Sequence, residues 1–150
     1  MVTARSRRVR ILAERVVALA ADEVPPGSGF DVVGVRLFER LRAQTGTWLG
    51  PDGFRALYAR ALDLAGAEYA FLLGGPPAPL VGEPTPAGLR ACLADHNPDE
   101  NRRCLVSLVT HFVGLLAELI GPDLVLLHLR RTWPPLETQD VPRRDEEEQS

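Results

Sequence analysis

One segment of the chain carries most of the side chains that could do chemistry. Between residues 98 and 120, polar residues and a glycine recur every three or four positions, at Arg103, Ser107, Thr110, His111, Gly114 and Glu118. Because an α-helix turns once in 3.6 residues, this spacing predicts a narrow stripe along one helix face. A buried polar group needs a hydrogen-bond partner. The stripe therefore predicts either internal hydrogen bonds or a binding site.

His111 admits several interpretations. In the first, it is a structural imidazole that donates to Thr110, Ser107 or a neighbouring helix, with Gly114 allowing that helix to come close. In the second, it is a metal or haem ligand with only distant partners such as His128 or Cys104. It could also belong to a sensor site for a small or apolar ligand, with a pocket beside Ser107, His111 and Gly114. In an enzyme, His111 and Glu118 would form an acid–base pair, although two turns, about 10 Å, separate them along the axis.

The segment from His111 to Leu115, His-Phe-Val-Gly-Leu, resembles the phosphorylated histidine segment of histidine phosphotransfer domains, which are also small helical bundles. The resemblance covers five residues and implies phosphoryl relay. Such domains carry a Lys three residues after the His, where this chain has Gly114, and the sequence contains no Lys at all. This departure argues against the relay interpretation.

Metal and cofactor chemistry finds little support in the residue types. Cys92 and Cys104 have no zinc spacing, and no His or Cys stands four residues from His111. The glycine-rich stretches lack the Lys of a phosphate-binding loop. We predict no cofactor, no metal site and no catalytic residue, and leave enzymatic activity undecided while favouring its absence. Cys104, among apolar neighbours, is expected to be inert.

The thirteen prolines show which elements must position the stripe. Proline is costly inside a helix, so helices are expected between the proline clusters. The apolar periodicity and the capping signals predict helices at about 4–23, 29–44, 51–66, 86–95, 98–120 and 122–133, with 45–50 as a linker. The sequence thus predicts an all-α, single-domain bundle of five to six helices around a central buried helix at 98–120.

The two ends of the chain carry opposite charge. Residues 1–15 hold five Arg and one Glu, and residues 137–150 hold six acids and two Arg. The domain is expected to span 1–133, followed by a disordered acidic tail at 134–150. The basic end lacks interleaved aromatic residues and a helix-turn-helix pattern, so nucleic-acid binding is not favoured.

Composition indicates a compartment and a mode of action. Arg without Lys and abundant Ala, Leu, Val and Gly are typical of GC-rich bacterial coding, and two cysteines without an export signal favour a cytoplasmic protein away from membranes. We predict a non-catalytic protein that acts through protein contacts or self-association, as a subunit, adaptor or regulatory partner. The expected interface anchors stand at segment ends, at Trp48, Leu49, Trp133 and Leu136.

Overall fold

The computed structural model describes residues 4–69, 93 and 97–136, with the side chains of 4–6 and 48 left out. Every regular element in this part of the chain is helical. The elements are α1 Ala4–Asp22, α2 Phe30–Gly66, α3 Pro98–Ile120 and α4 Pro122–Thr132. Because α2 is kinked into two halves, the described residues form five packed helices, and the predicted all-α bundle is confirmed.

The predicted linker at residues 45–50 is wrong. The helical ladder continues through this stretch, and Thr45 lies fully buried within α2. The break comes at Gly50, whose φ of 79° lies in the left-handed region that glycine adopts without strain. Pro51 then opens the second half of α2, since a proline needs no N–H partner in a first turn. The sequence located the change of direction but overestimated its length.

Local signals explain both ends of α3. The Asn97 side chain accepts hydrogen bonds from the backbone N–H groups of Asp99 at 2.7 Å and Glu100 at 3.2 Å. At the other end, Gly121 has a φ of 95°, and Pro122 begins the next helix. A side-chain cap of this kind contributes roughly 1 kcal/mol. The predicted limits of the central helix are therefore confirmed.

An aromatic cluster joins both halves of α2 to α3. Phe112 lies edge-on to Phe38 with ring centroids 5.7 Å apart, and its centroid is 5.5 Å from that of Phe54. Tyr58 lies 5.1 Å from Phe38 and 5.7 Å from Phe54. Such pairs contribute about 0.5–1.5 kcal/mol beyond area burial. The kink at Gly50 thus serves packing, since it lets residues from both halves reach the same side of α3.

The enclosure of α3 is less complete than its apolar pattern suggested. Leu105, Leu108, Phe112 and Leu116 are fully buried, but Leu119 in the last turn is 58% exposed. The helix is long and apolar enough to cross a membrane by length and composition, and buried central helices meet the same criterion. In this structure α3 packs against α1, α2 and α4.

Two predicted segments lie partly outside the residues that the structure describes. The helix expected at 86–95 is represented by Leu93, which is buried against the core. The Leu93 carbonyl accepts a hydrogen bond at 2.8 Å from the side-chain amide of Asn101. Of the expected tail, residues 137–150 lie outside the described residues, while Leu136 is fully buried and extends the packed core beyond 133.

Candidate functional site

A cavity of about 380 Å³ lies along the predicted stripe of α3. Its wall includes five stripe residues, Ser107, Thr110, His111, Gly114 and Glu118. The opposite sides come from α1, with Arg7 and Arg10, and from the end of α2, with Leu64 and Glu68. Arg103, the first residue of the predicted stripe, is exposed and not part of this wall. We call this space the stripe cavity.

The hydroxyl groups of the stripe have partners other than His111. Ser107 donates from Oγ to Oε1 of Glu68 at 2.9 Å, and Thr110 donates from Oγ1 to the Val106 carbonyl at 2.7 Å. The second bond turns a hydroxyl back onto its own helix, a common solution for a mid-helix Thr. The structure therefore does not show the expected hydrogen bonds from His111 to Ser107 or Thr110.

His111 lies half-buried in the wall of the cavity. Within the described part of the chain, neither its ring nor the charged groups of Arg7 and Glu118 make a hydrogen bond or ion pair. Arg10 forms a long contact, 3.6 Å from Nε to Oε2 of Glu14, between side chains that are about half exposed. Such a pair contributes about 0–1 kcal/mol, so it holds Arg10 weakly.

Gly114 does not act as the sequence predicted. We expected it to let a neighbouring helix come close, but a methyl group built at its Cα would meet no atom within 4 Å outside its own helical turn. The missing side chain leaves space in the stripe cavity rather than a close helix contact. A space thus lies beside Ser107, His111 and Gly114, where one interpretation placed a ligand pocket, and the structure shows no close helix contact at Gly114 among the described residues.

Two of the four expected interface anchors are core residues. Trp133 and Leu136 are both fully buried, so neither offers surface to a partner in this conformation. The physical reason is that the chain after α4 folds back, with the Leu136 N–H bonded to the Trp133 carbonyl at 3.0 Å. Leu49 is partly buried against the core. The side chain of Trp48 is not among the parts of the chain that the structure describes.

The structure shows an apolar surface that the sequence argument missed. Leu124 and Leu127 of α4 are 55% and 45% exposed and line a shallow pocket of about 190 Å³ with Ile120, His128 and Arg131. We call the exposed part of this surface, formed by Leu124, Leu127 and Arg131, the α4 outer face. Its signal in the sequence is the spacing of 120, 124, 127 and 131, which alternates steps of four and three beside the buried positions 125, 128, 129 and 132.

His128 faces inward and belongs to the bundle. Its Nε2 lies 3.2 Å from Oγ1 of Thr45, and both residues are buried. Burial, reinforced by the charge of Arg131, lowers the pKa of His128 from its ordinary value, because the cationic form is poorly solvated. His128 therefore packs within the bundle.

The described residues contain no group of three or more His, Cys, Asp or Glu side chains arranged to hold a metal ion. Cys104 forms no disulfide within the described residues and is fully buried in the core. Comparisons with protein-family models, with curated proteins and with solved structures give no match to this chain. The stripe cavity and the α4 outer face are therefore the two candidate functional surfaces of the described residues.

Proposed function

We propose that this chain acts through protein–protein contacts, as a subunit or regulatory partner, and that the α4 outer face is its contact surface. The observation that carries the proposal is that α4 is apolar on two sides. Val125, His128 and Leu129 pack into the bundle, while Leu124 and Leu127 remain about half exposed. Burying such side chains in a partner removes apolar area from water at roughly 25 cal/mol per Å².

The charges at the two ends of α4 support a particular partner for this face. Asp123 and Arg131 are exposed at opposite ends of α4, about 12 Å apart along the helix axis, with the two leucines between them. If two copies of α4 pack antiparallel about a two-fold axis, each Asp123 meets the Arg131 of the other copy and the leucines pack together. The surface is therefore self-complementary, as a two-fold interface requires. The occupant that we propose is a second copy of this chain.

The size of the surface sets the expected strength. A stable interface buries about 800 Å² per partner, which is more than two half-exposed leucines supply. The contact would therefore extend to the end of α3, where Leu119 is 58% exposed. We expect a weak, concentration-dependent dimer.

Sedimentation or light scattering over a concentration series tests this proposal. Leu124→Glu and Leu127→Glu should abolish the dimer, while Ile11→Glu, at a residue of α1 that is 45% exposed, should leave it intact. Asp123→Arg and Arg131→Asp should each weaken the dimer through like-charge contact, and the double variant should restore it. A chain that stays monomeric, or a dimer indifferent to the leucine variants, would overturn the proposal.

A second candidate function is favoured by the position of the stripe cavity. We propose small-molecule sensing there, because open space lies at the residues whose spacing predicted a pocket. Its volume of about 380 Å³ falls within the 300–1,000 Å³ typical of small-molecule sites. Native mass spectrometry of the freshly purified chain should show a bound molecule that is lost in His111→Ala. Repeated observation of the bare mass would count against it.

A further inference from the structure

The wall of the stripe cavity carries formal charges of both signs. Arg7 and Arg10 contribute two guanidinium groups from α1. Glu118 from α3 and Glu68 beyond the end of α2 contribute two carboxylates. A cavity lined by charges of one sign would favour a ligand of the opposite sign, but here the cationic and anionic groups are equal in number.

The existing contacts leave charge of each sign available to a ligand. Arg7 and Glu118 make no hydrogen bond or ion pair with another described residue. Glu68 is exposed, accepts a neutral hydrogen bond from Ser107, and forms no ion pair with another described residue. Among the described residues, the contact of Arg10 is a long one, to the half-exposed Glu14.

His111 and the apolar wall supply the remaining features of a site. Imidazole can donate at one ring nitrogen and accept at the other, so His111 can hydrogen bond either a carboxylate or an amine. Val9, Leu64 and Leu115 line the same space and offer contact to a hydrocarbon group. Gly114 adds the room for such a group, since no atom fills the place of its missing side chain.

We infer that the stripe cavity binds a small zwitterion with an apolar side group, of the size of an amino acid or dipeptide. The inference rests on the second candidate function above and names its ligand class. A charge that leaves water needs a compensating partner. A simple anion would meet Arg7 and Arg10 but also two carboxylates, and a simple cation would meet the reverse. A zwitterion satisfies both sets, with its carboxylate toward the arginines and its ammonium toward Glu118.

A set of matched probes tests the ligand class. L-leucine and leucyl-leucine carry both charges, 4-methylpentanoate carries the leucine skeleton with the carboxylate alone, and 3-methylbutylamine carries it with the amine alone. Titrations followed by the backbone amide signals of His111 and Gly114 report affinity and location together. Whichever of L-leucine and leucyl-leucine binds more tightly should have an affinity at least about tenfold higher than that of either single-charge probe. The reason is that a hydrogen bond to a charged group contributes at least about a tenfold factor in affinity.

Charge-neutralising variants test which residue meets which end. Arg7→Gln should weaken L-leucine about tenfold and remove its advantage over 3-methylbutylamine. Glu118→Gln should remove its advantage over 4-methylpentanoate. The matched controls are Arg8→Gln and Asp63→Asn, at exposed residues outside the cavity wall, and both should keep the affinity of the unchanged chain.

Gly114→Leu separates the site from the ligand class. The new side chain fills the cavity without meeting neighbouring atoms at its Cβ, so the fold should persist while binding of every probe is lost. If the single-charge probes bind as well as the zwitterions, and Gly114→Leu blocks them all, the cavity is a ligand site but the zwitterion inference is wrong. If no probe binds, or binding survives Gly114→Leu, both the inference and this location for the ligand are overturned.

Discussion

The guanidinium carbon of Arg40 lies 5.3 Å from the centroid of the Trp133 indole ring. The same guanidinium donates to the Glu23 carboxylate and to the carbonyl of Thr132. One side chain in the first half of α2 therefore holds the segment after α1 and the end of α4. Because Trp133 is fully buried beneath it, this contact closes the bundle over its largest core residue.

Replacing Arg40 should loosen this closure. The ion pair with Glu23 is about one-third exposed and contributes at most about 1 kcal/mol, and the ring contact and the carbonyl bond add similar amounts. We expect Arg40→Ala to lower the free energy of unfolding by about 1–3 kcal/mol. Arg40→Lys should lower it by less, because the ammonium keeps the positive charge but lacks the planar donor geometry of the guanidinium.

Urea denaturation measures this effect, with Arg42→Ala as the matched control. Arg42 is exposed and, within the part of the chain that the structure describes, pairs with Glu39 one turn away, so its loss should change stability by less than about 0.5 kcal/mol. Equal effects of the two alanine variants would contradict the closing role of Arg40.

Trp133 should respond to loss of volume more than to loss of its N–H group. The buried Nε1 atom has no hydrogen-bond partner within the described part of the chain. We expect Trp133→Phe to cost less than about 1.5 kcal/mol, because it also removes an unsatisfied donor, whereas Trp133→Ala should cost about 3–5 kcal/mol. Thermal unfolding of the two variants distinguishes this core role from the interface role that the sequence predicted. A Trp133→Ala chain that is as stable as the unchanged chain would contradict the core role.

His128 should make stability fall in mild acid. Its folded-state pKa is lowered, so the unfolded chain takes up a proton near pH 6.5, while the folded chain takes it up at lower pH. The unfolded state then binds more protons, and the free energy of unfolding decreases as pH drops below about 6.5, by at most about 1.4 kcal/mol per pH unit. Above this range both states are neutral at His128 and the residue adds no pH dependence.

The measurement is the difference in unfolding free energy between the unchanged chain and His128→Gln from pH 7.5 to 5. This difference should shift in favour of the variant as pH falls. Parallel profiles for the unchanged chain and His128→Gln would refute the expectation.

Two glycines within helices should respond to alanine with opposite signs. At Gly114 the new methyl group meets open space in a helix interior, so Gly114→Ala should stabilise the chain by about 0.5–1 kcal/mol. At Gly50 the backbone has a φ of 79°, and Gly50→Ala should destabilise by about 1–2 kcal/mol although space is equally free. Thermal denaturation of the pair separates backbone strain from packing, and a shared sign would contradict the argument.

The sequence by itself determined features that depend on a few neighbouring residues. Asn97 with Pro98 began the central helix and Gly121 with Pro122 ended it, because capping and backbone conformation act within one turn. The periodicity predicted a central buried helix at 98–120 and brought Ser107, His111, Gly114 and Glu118 onto one stripe. Helical spacing makes that relationship local, so no other element is needed to predict it.

Tertiary structure decided which of these faces is covered and by what. Helical spacing cannot show that no described atom lies near the position of a Gly114 side chain, or that Leu124 and Leu127 face outward. It also cannot show that Arg40 covers Trp133, which lies 93 positions later in the sequence. Nor could composition show that α2 continues through Thr45, which faces His128 in the interior. Each outcome depends on how helices distant in sequence pack together, and that packing turned one polar stripe into a cavity wall.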